Sequence, residues 1–119
     1  MCETAEGMDN LDRILVEVPG IDAVFVGPND LAVSLGIRGS SYAGQDPRHH
    51  AAMERIVATC TAHGVVAGIM CGTPDTADHW RRAGYRMLAI DSDGSMLTRA
   101  ARSDAARCRE LAAKADPVA

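Results

Sequence analysis

The chain has 119 residues, of which 47% are hydrophobic and 24% are charged, and its formal net charge is −4. This length suits one domain with a buried core, so we predict a single domain over residues 1–119. The acidic charge and the aromatic content of 3% argue against a nucleic-acid binder, and no apolar run is long enough to cross a membrane.

The first part of the chain predicts a strand end, a helix and a strand. Residues 1–4 are typical of the last residues of a strand. Apolar residues then recur at helical spacing from Met8 to the Pro19-Gly20 stop, which predicts a helix with an inward face. That face would carry Met8, Leu11, Leu15 and Val18. The next run, Ala23–Val26, is short, apolar and partly β-branched, which predicts a buried strand.

A sharp turn follows this strand. Gly27-Pro28 stops the strand, and residues 31–35 predict a short helix that ends at Gly36. Asp30 therefore lies at the carboxyl tip of a strand and beside the start of a helix, where α/β proteins place their chemistry. The alternative is that Asp30 only caps the helix.

The polar segment 37–46 is long for a connection in a compact α/β unit. It could cover a site as a lid, but the sequence favours a tolerated surface insertion. Asp46-Pro47 then predicts a helix start, and the helix would run to His63-Gly64. Its predicted core stripe is Ala52, Met53, Ile56, Val57 and Cys60. The adjacent His49 and His50 point about 100° apart on a helix, so we expect both on the surface and not on one ion.

The second half of the chain repeats the strand–helix alternation. Residues 65–71 predict a strand that is apolar, and therefore covered, on both faces. A helix follows to Gly84, with Ala77, Trp80 and Ala83 facing inward. A last strand, Met87–Ile90, leads to a final helix that Asp91 or Asp93 would cap. This helix carries the apolar positions Met96, Leu97, Ala100, Ala101, Cys108 and Leu111.

Apolar strands that alternate with helices predict an α/β fold with parallel strands. The chain has about half the usual length of a (β/α)8 barrel and four strand–helix units, which predicts half of such a barrel. A doubly wound open sheet of four strands stays open as an alternative. No strand is followed by a G-x-G-x-x-G or Walker lysine motif.

The cysteines do not predict a zinc site. Cys2, Cys60, Cys71 and Cys108 are scattered and form no C-x-x-C pair. We therefore expect reduced thiols in a cytoplasmic protein. Cys71 ends a strand on the predicted active face, where packing is the favoured interpretation.

Glu3 and Asp30 carry the predicted chemistry. Both lie at the carboxyl tips of consecutive strands, and parallel neighbours are about 4.8 Å apart. Two carboxylates at that separation suit Mg²⁺ or Mn²⁺ rather than zinc. The backbone N–H groups of Asn29 and Asp30, at a helix start, could bind a substrate carboxylate. Alternatively, Glu3 is only a frayed terminal residue.

Several segments resemble, in order and spacing, the HpcH/HpaI family of metal-dependent (class II) pyruvate aldolases. They are Glu3-Thr4-Ala5-Glu6, Asn10-Leu11, Pro19-Gly20-Ile21-Asp22, Phe25-Val26-Gly27-Pro28-Asn29-Asp30-Leu31, Gly64, Gly68-Ile69, Gly84-Tyr85 and Ser92-Asp93. The resemblance implies the C-terminal half of a (β/α)8 TIM barrel of the phosphoenolpyruvate/pyruvate superfamily type, with its last four βα units.

The resemblance also implies an activity and its site. Glu3 and Asp30 would bind the divalent metal, Mg²⁺ or Mn²⁺, with Co²⁺ as a further candidate. Gly27, Pro28, Asn29 and Asp30 would bind the 2-oxo acid, whose carboxylate the backbone amides of Asn29 and Asp30 would hold. The family cleaves a 4-hydroxy-2-oxo acid to pyruvate and an aldehyde through a metal-bound enolate. Its members are usually hexamers, and the last helix is often exchanged between subunits.

The departures from the family pattern limit these implications. The family's catalytic histidine and arginine lie on earlier strands, so no residue of this chain is assigned to either role. A family glutamine that touches substrate falls on Met1, which cannot act in the same way. We therefore expect an isolated chain with little turnover and a homo-oligomer or a complementary half barrel as partner. The alternatives are a citrate-lyase-β-like lyase acting on acyl-CoA and a non-catalytic remnant that binds metal or assembles.

Overall fold

A computed structural model describes residues 1–40 and 42–114. The strands are β1 (Ala23–Val26), β2 (Val66–Cys71) and β3 (Met87–Ile90), and the helices are α1 (Ala5–Asp9), α2 (Leu11–Glu17), α3 (Pro28–Ser34), α4 (Pro47–Ala62), α5 (Pro74–Ala83) and α6 (Asp93–Lys114). The helix predicted from Met8 is instead a pair of helices that starts earlier, at Ala5, and breaks at Asn10. No helix in the described ranges has the length and apolar character needed to span a bilayer.

The strands form one parallel sheet in the order β1-β2-β3. The strand predicted at the start of the chain is reduced to a single parallel bridge between Cys2 and Val26, in which the Cys2 N–H donates to the Phe25 carbonyl at 2.8 Å. Four chain segments therefore lie side by side in sequence order. This order fits an arc of a barrel, whereas a doubly wound sheet reverses its strand order at a switch point.

One face of the sheet carries the core. The register aligns Val24 with Ala67 and Val26 with Ile69, so these side chains share a face, and all four are buried. Helices α4 and α5 cover this face. The predicted stripe of α4 is buried along its whole length (Ala52, Met53, Ile56, Val57 and Cys60). The prediction that this stripe of α4 faces the core is therefore confirmed.

Trp80 and Tyr85 are the two largest buried side chains of this layer. The Tyr85 hydroxyl donates to the Met53 carbonyl at 2.8 Å, and burial raises the pKa of Tyr85 well above its usual range. The phenol is therefore neutral and joins the segment after α5 to α4.

The opposite face of the sheet is not covered in the same way. Phe25 and Met70 are half-buried, whereas Val66 and Met87 are 42% and 41% exposed. The prediction that the second strand is covered on both faces is thus wrong for the described part of the chain. In a closed barrel this face would line the interior.

Two predictions of inward-facing residues are also wrong. Val18 follows α2 and is 48% exposed, and Ala83 in the last turn of α5 is exposed as well. None of the 22 residues of α6 is buried. Its apolar stripe is real in the sequence, but the sheet and the other described helices do not cover it.

Candidate functional site

Glu3 is positioned by backbone pairing. The bridge between Cys2 and Val26 places the next residue, Glu3, beside Gly27 at the carboxyl tip of β1. Two further hydrogen bonds fix the chain just after it. The Thr4 hydroxyl accepts from the Gly7 N–H, which caps α1, and the Ala5 N–H donates to the Ser34 hydroxyl on α3, both at 2.9 Å. Glu3 is therefore held, and the interpretation as a frayed terminal residue does not fit.

Glu3 and Asp30 face the same small space. A Cβ atom built on Gly27 would lie 3.0 Å from Oε2 of Glu3 and 3.5 Å from Oδ2 of Asp30. The missing side chain of Gly27 thus leaves a recess that both carboxylates border. Their oxygens are the ligand type that Mg²⁺ and Mn²⁺ prefer, and Mg²⁺ commonly binds through one or two carboxylates and keeps several waters. The residues present therefore fit a hard divalent ion.

This site would depend on ligands from outside the pair. Within residues 1–40 and 42–114, no group of three or more His, Cys, Asp or Glu side chains is arranged to hold a metal ion. Water or a substrate oxygen would have to complete the coordination of an ion held by Glu3 and Asp30.

The start of α3 supplies the second part of the site. Gly27 is the N-cap, Pro28 is in the first turn, and the Leu31 N–H makes a helical bond to the Gly27 carbonyl at 3.0 Å. The N–H groups of Asn29 and Asp30 precede that bond, so they have no acceptor within the helix. Both residues are exposed, and no side-chain hydrogen bond caps α3. The geometry therefore does not support the alternative that Asp30 only caps the helix.

A cavity of about 200 Å³ adjoins these groups. Its lining contains all four residues predicted to bind substrate, which are Gly27, Pro28, Asn29 and Asp30. The rest of the lining is largely apolar and consists of Met1, Phe25, Tyr42 and Met70. This volume is below the range typical of drug-sized ligands, so the cavity suits a small molecule.

Tyr42 closes the cavity from the segment 37–46. A Cβ atom on Gly72 would lie 2.5 Å from Cδ2 of Tyr42, so the ring rests directly on the backbone after β2. The indole N–H of Trp80 donates to the Tyr42 carbonyl at 2.7 Å and anchors the segment to α5. Tyr42 therefore lines the site, and the favoured prediction of a surface insertion does not hold for this residue.

His49 also differs from its prediction, which was a position on the surface. It is fully buried, not on the surface, and its Nδ1 lies 2.7 Å from the Ser40 hydroxyl. Burial lowers the pKa of His49, an effect that the Pro28 carbonyl partly opposes. Its Nε2 has no hydrogen bond of good geometry within the described ranges. His49 thus joins α4 to Ser40, in the connection before that helix.

The spacing of α4 could have revealed this burial. His49 lies three residues before Ala52 and four before Met53, on the same stripe that the apolar residues define.

The other candidate side chains have structural roles. Cys71 is fully buried in the core, as predicted, and all four cysteines are free. The Ser92 hydroxyl accepts from the Ser95 N–H at the start of α6, so Ser92, rather than Asp91 or Asp93, is its cap. Asp91 accepts from the Ser92 N–H and pairs with Arg99, and these contacts lower the pKa of its carboxyl.

Comparison with known proteins identifies the family. A profile of the HpcH/HpaI aldolase/citrate lyase family matches residues 1–100. The hydroxypyruvate/pyruvate aldolase of Paraburkholderia phytofirmans is 39% identical over 103 residues, which cover 84% of this chain and 37% of that protein. A 4-hydroxy-2-oxo-heptane-1,7-dioate aldolase of Escherichia coli is 36% identical over 105 residues, which cover 88% of this chain and 38% of that protein.

A solved structure agrees with the same assignment. An HpcH/HpaI aldolase/citrate lyase family protein from Burkholderia cenocepacia J2315 superposes with a TM-score of 0.82 at 40% identity, over 91% of this chain and 40% of that one. The chain thus spans less than half the length of the relatives that it matches, and its fold is part of the TIM-barrel type found in this enzyme family. It belongs to the HpcH/HpaI aldolase/citrate lyase family.

Proposed function

We propose that this chain provides the metal- and oxo-acid-binding part of a divalent-metal-dependent aldolase that cleaves a 4-hydroxy-2-oxo acid to pyruvate and an aldehyde. The observation that carries this proposal is the recess at Gly27, which Glu3 and Asp30 both border. The names of the relatives, a hydroxypyruvate/pyruvate aldolase and a 4-hydroxy-2-oxo-heptane-1,7-dioate aldolase, support the reaction class.

In this proposal Glu3 and Asp30 hold the ion, which is Mg²⁺ or Mn²⁺, with Co²⁺ as a further candidate. When bound, a divalent ion supplies Lewis-acid chemistry that draws electron density from the 2-oxo group of the substrate. Gly27 has to stay a glycine, because a Cβ atom there would compete for the space between the two carboxylates.

The chain's own groups would orient the substrate. The N–H groups of Asn29 and Asp30 donate to the substrate carboxylate, since they have no acceptor within α3. Gly27 and Pro28 line the cavity beside these N–H groups, and both are buried. The rings of Phe25 and Tyr42 line the cavity and reduce the access of water to the reacting carbons.

The proposed partners follow from the uncovered surfaces. One sheet face and all of α6 are left without a covering element in the described ranges. A homo-oligomer, or a complementary half barrel, would cover them and would supply a catalytic histidine and arginine. The four free thiols fit a reducing compartment, so we propose a cytoplasmic protein.

A metal titration tests the binding part of the proposal. Mn²⁺ is titrated into the purified chain with and without pyruvate, and binding is followed by calorimetry and by electron paramagnetic resonance of free Mn²⁺. We expect one site per chain and tighter Mn²⁺ binding when pyruvate is present. Glu3→Gln and Asp30→Asn should each weaken Mn²⁺ by more than about 100-fold, because each removes one of only two protein ligands, a larger loss than that of an outer-shell partner. Equal binding by wild type and both variants would contradict the assignment.

An activity assay tests the complementary part. We expect little or no pyruvate release from 4-hydroxy-2-oxo acids by the isolated chain, because no described residue supplies the family's catalytic histidine or arginine. A robust rate from pure material would show that this chain needs no complementary half. Cleavage of an acyl-CoA substrate in the same assay would instead favour the citrate-lyase-type alternative.

A further inference from the structure

Two histidines meet on the outer surface, where α4 and α5 lie side by side. Nε2 of His50 on α4 lies 3.2 Å from Nε2 of His79 on α5. The side chain of His50 is 32% exposed and His79 is exposed, so solvent reaches both rings. Neither residue belongs to the site at Gly27, and the proposed aldolase chemistry does not use them.

The separation of the two nitrogens is that of two ligands on one ion. Imidazole binds Zn²⁺ with bonds of about 2.0–2.1 Å, and tetrahedral geometry then sets two ligand nitrogens about 3.3 Å apart. Without an ion, one ring must donate a proton to the other, since two unprotonated Nε2 atoms at this distance repel each other.

A carboxylate on α4 supports the His50 ring from behind. Oε2 of Glu54 lies 3.4 Å from Nδ1 of His50, one helical turn away. In metal sites a ligating histidine commonly donates its second ring N–H to a carboxylate, which selects the tautomer that leaves the other nitrogen free to bind. Glu54 is placed to accept the Nδ1–H of His50, which would leave Nε2 of His50 free to bind an ion.

Trp80 fixes the two rings in place. Its ring centroid is 5.0 Å from that of His50 and 4.6 Å from that of His79, and the indole itself is fully buried. The hollow beside His79 also contains Asp75, Asp78 and Arg82, and Asp78 is paired with both Arg81 and Arg82, at 2.9 and 2.8 Å. The two imidazoles are therefore held next to each other against a buried indole.

We propose that His50 and His79 form a two-imidazole site for a borderline divalent transition ion of the Zn²⁺ class, with water completing the coordination. Imidazole nitrogen selects Zn²⁺, Cu²⁺ and Ni²⁺, whereas the carboxylates at Gly27 select Mg²⁺ and Mn²⁺. The ion joins α4 to α5, which are also the helices that hold His49 and the anchor of Tyr42. It therefore stabilises the layer behind the candidate active site.

Copper titration with fluorescence tests this site directly. Trp80 is the single tryptophan of the chain, and Cu²⁺ bound to the adjacent rings quenches its emission. We expect saturable quenching with one Cu²⁺ per chain. His50→Ala and His79→Ala should each weaken Cu²⁺ by at least tenfold, and Glu54→Gln by about tenfold, the lower end of the range for an orienting carboxylate.

Matched variants separate this site from other copper ligands. His63→Ala removes a histidine at the end of α4 that contacts Asp12 instead, and Glu3→Gln removes a ligand of the hard-ion site. Both should keep the wild-type quenching curve. Zn²⁺ in large excess should displace Cu²⁺, because Cu²⁺ binds nitrogen ligands more tightly than Zn²⁺ does. Zn²⁺ alone should raise the thermal unfolding midpoint of wild type, but not that of either histidine variant. Circular dichroism of the metal-free variants identifies any that do not fold.

Two outcomes overturn the proposal. The first is quenching that does not saturate or that is identical in wild type and folded His50→Ala and His79→Ala. The second is quenching that only Glu3→Gln abolishes, which would assign copper to the recess at Gly27.

Discussion

The layer formed by α4, β2 and α5 differs sharply from α6. In the first region, Trp80, Ile56 and Ile69 are fully buried and the connecting segments are tied down by side-chain hydrogen bonds. In the second, none of 22 residues is buried, and Leu97 is 72% exposed. Both regions carry an apolar stripe in the sequence, so periodicity alone does not decide whether a helix face is covered.

The candidate site lies with the first region. Asp30 stands at the start of α3, Tyr42 is anchored by Trp80, and His49 on α4 is paired with Ser40. Glu3 is held by the bridge between Cys2 and Val26 and by the hydrogen bonds of Thr4 and Ala5 just after it. The binding groups are thus supported by local packing, whereas the uncovered face and α6 are the surfaces on which the proposed partner would pack.

Truncation of a core residue should separate the two regions most strongly. Trp80→Ala should destabilise the chain by about 3–5 kcal/mol, because it leaves a large cavity and releases the Tyr42 carbonyl. Leu97→Ala on α6 should change the unfolding free energy by no more than about 0.5 kcal/mol. Urea denaturation of both variants at low protein concentration measures the difference. Equal losses would mean that α6 packs against the core in solution.

Substitution of a glycine should affect Mn²⁺ binding at the recess but not on the exposed helix α6. Gly27→Ala should weaken Mn²⁺ binding by at least about tenfold, in the range for disturbed ligand positioning, because the new Cβ atom would lie 3.0 Å from Oε2 of Glu3. Gly94→Ala, where a Cβ atom meets nothing within 4 Å, is the matched control and should leave Mn²⁺ binding unchanged. Calorimetric titration checks both. Unchanged affinity in Gly27→Ala would mean that the ion does not use this recess.

Acid should destabilise the packed region through His49. Burial lowers the pKa of His49 in the folded chain, so the unfolded chain binds a proton more readily. Stability is therefore lost as the pH falls below the unfolded value of about 6.5, with a slope of at most about 1.4 kcal/mol per pH unit. His49→Val should reduce this slope, measured as unfolding free energy between pH 7.5 and pH 5. A slope that is the same in wild type and His49→Val would show that the buried ring does not control the acid response.

Much of this architecture follows from local sequence signals. The strand at Ala23–Val26, the Gly27-Pro28 stop and the stripe of α4 were all predicted, because periodicity and turn chemistry act within a few residues. The sequence also predicted that Glu3 and Asp30 lie at neighbouring strand tips, which agrees with the bridge from Cys2 to Val26.

The remaining features depend on contacts between distant segments. His49 is paired with Ser40, and the position of Tyr42 requires Gly72 and Trp80. The place of Tyr42 in the site was therefore not predictable from the polar composition of its segment. Coverage of α6 depends on chains or segments that its own periodicity does not specify.

The most direct test of the central claim is a crystal structure of this chain grown with Mn²⁺ and pyruvate, with anomalous diffraction measured to locate the metal. We expect one manganese peak in contact with carboxylate oxygens of both Glu3 and Asp30, with the pyruvate carboxylate at the N–H groups of Asn29 and Asp30. A manganese peak elsewhere, or Glu3 and Asp30 side chains that do not share one ion, would contradict it.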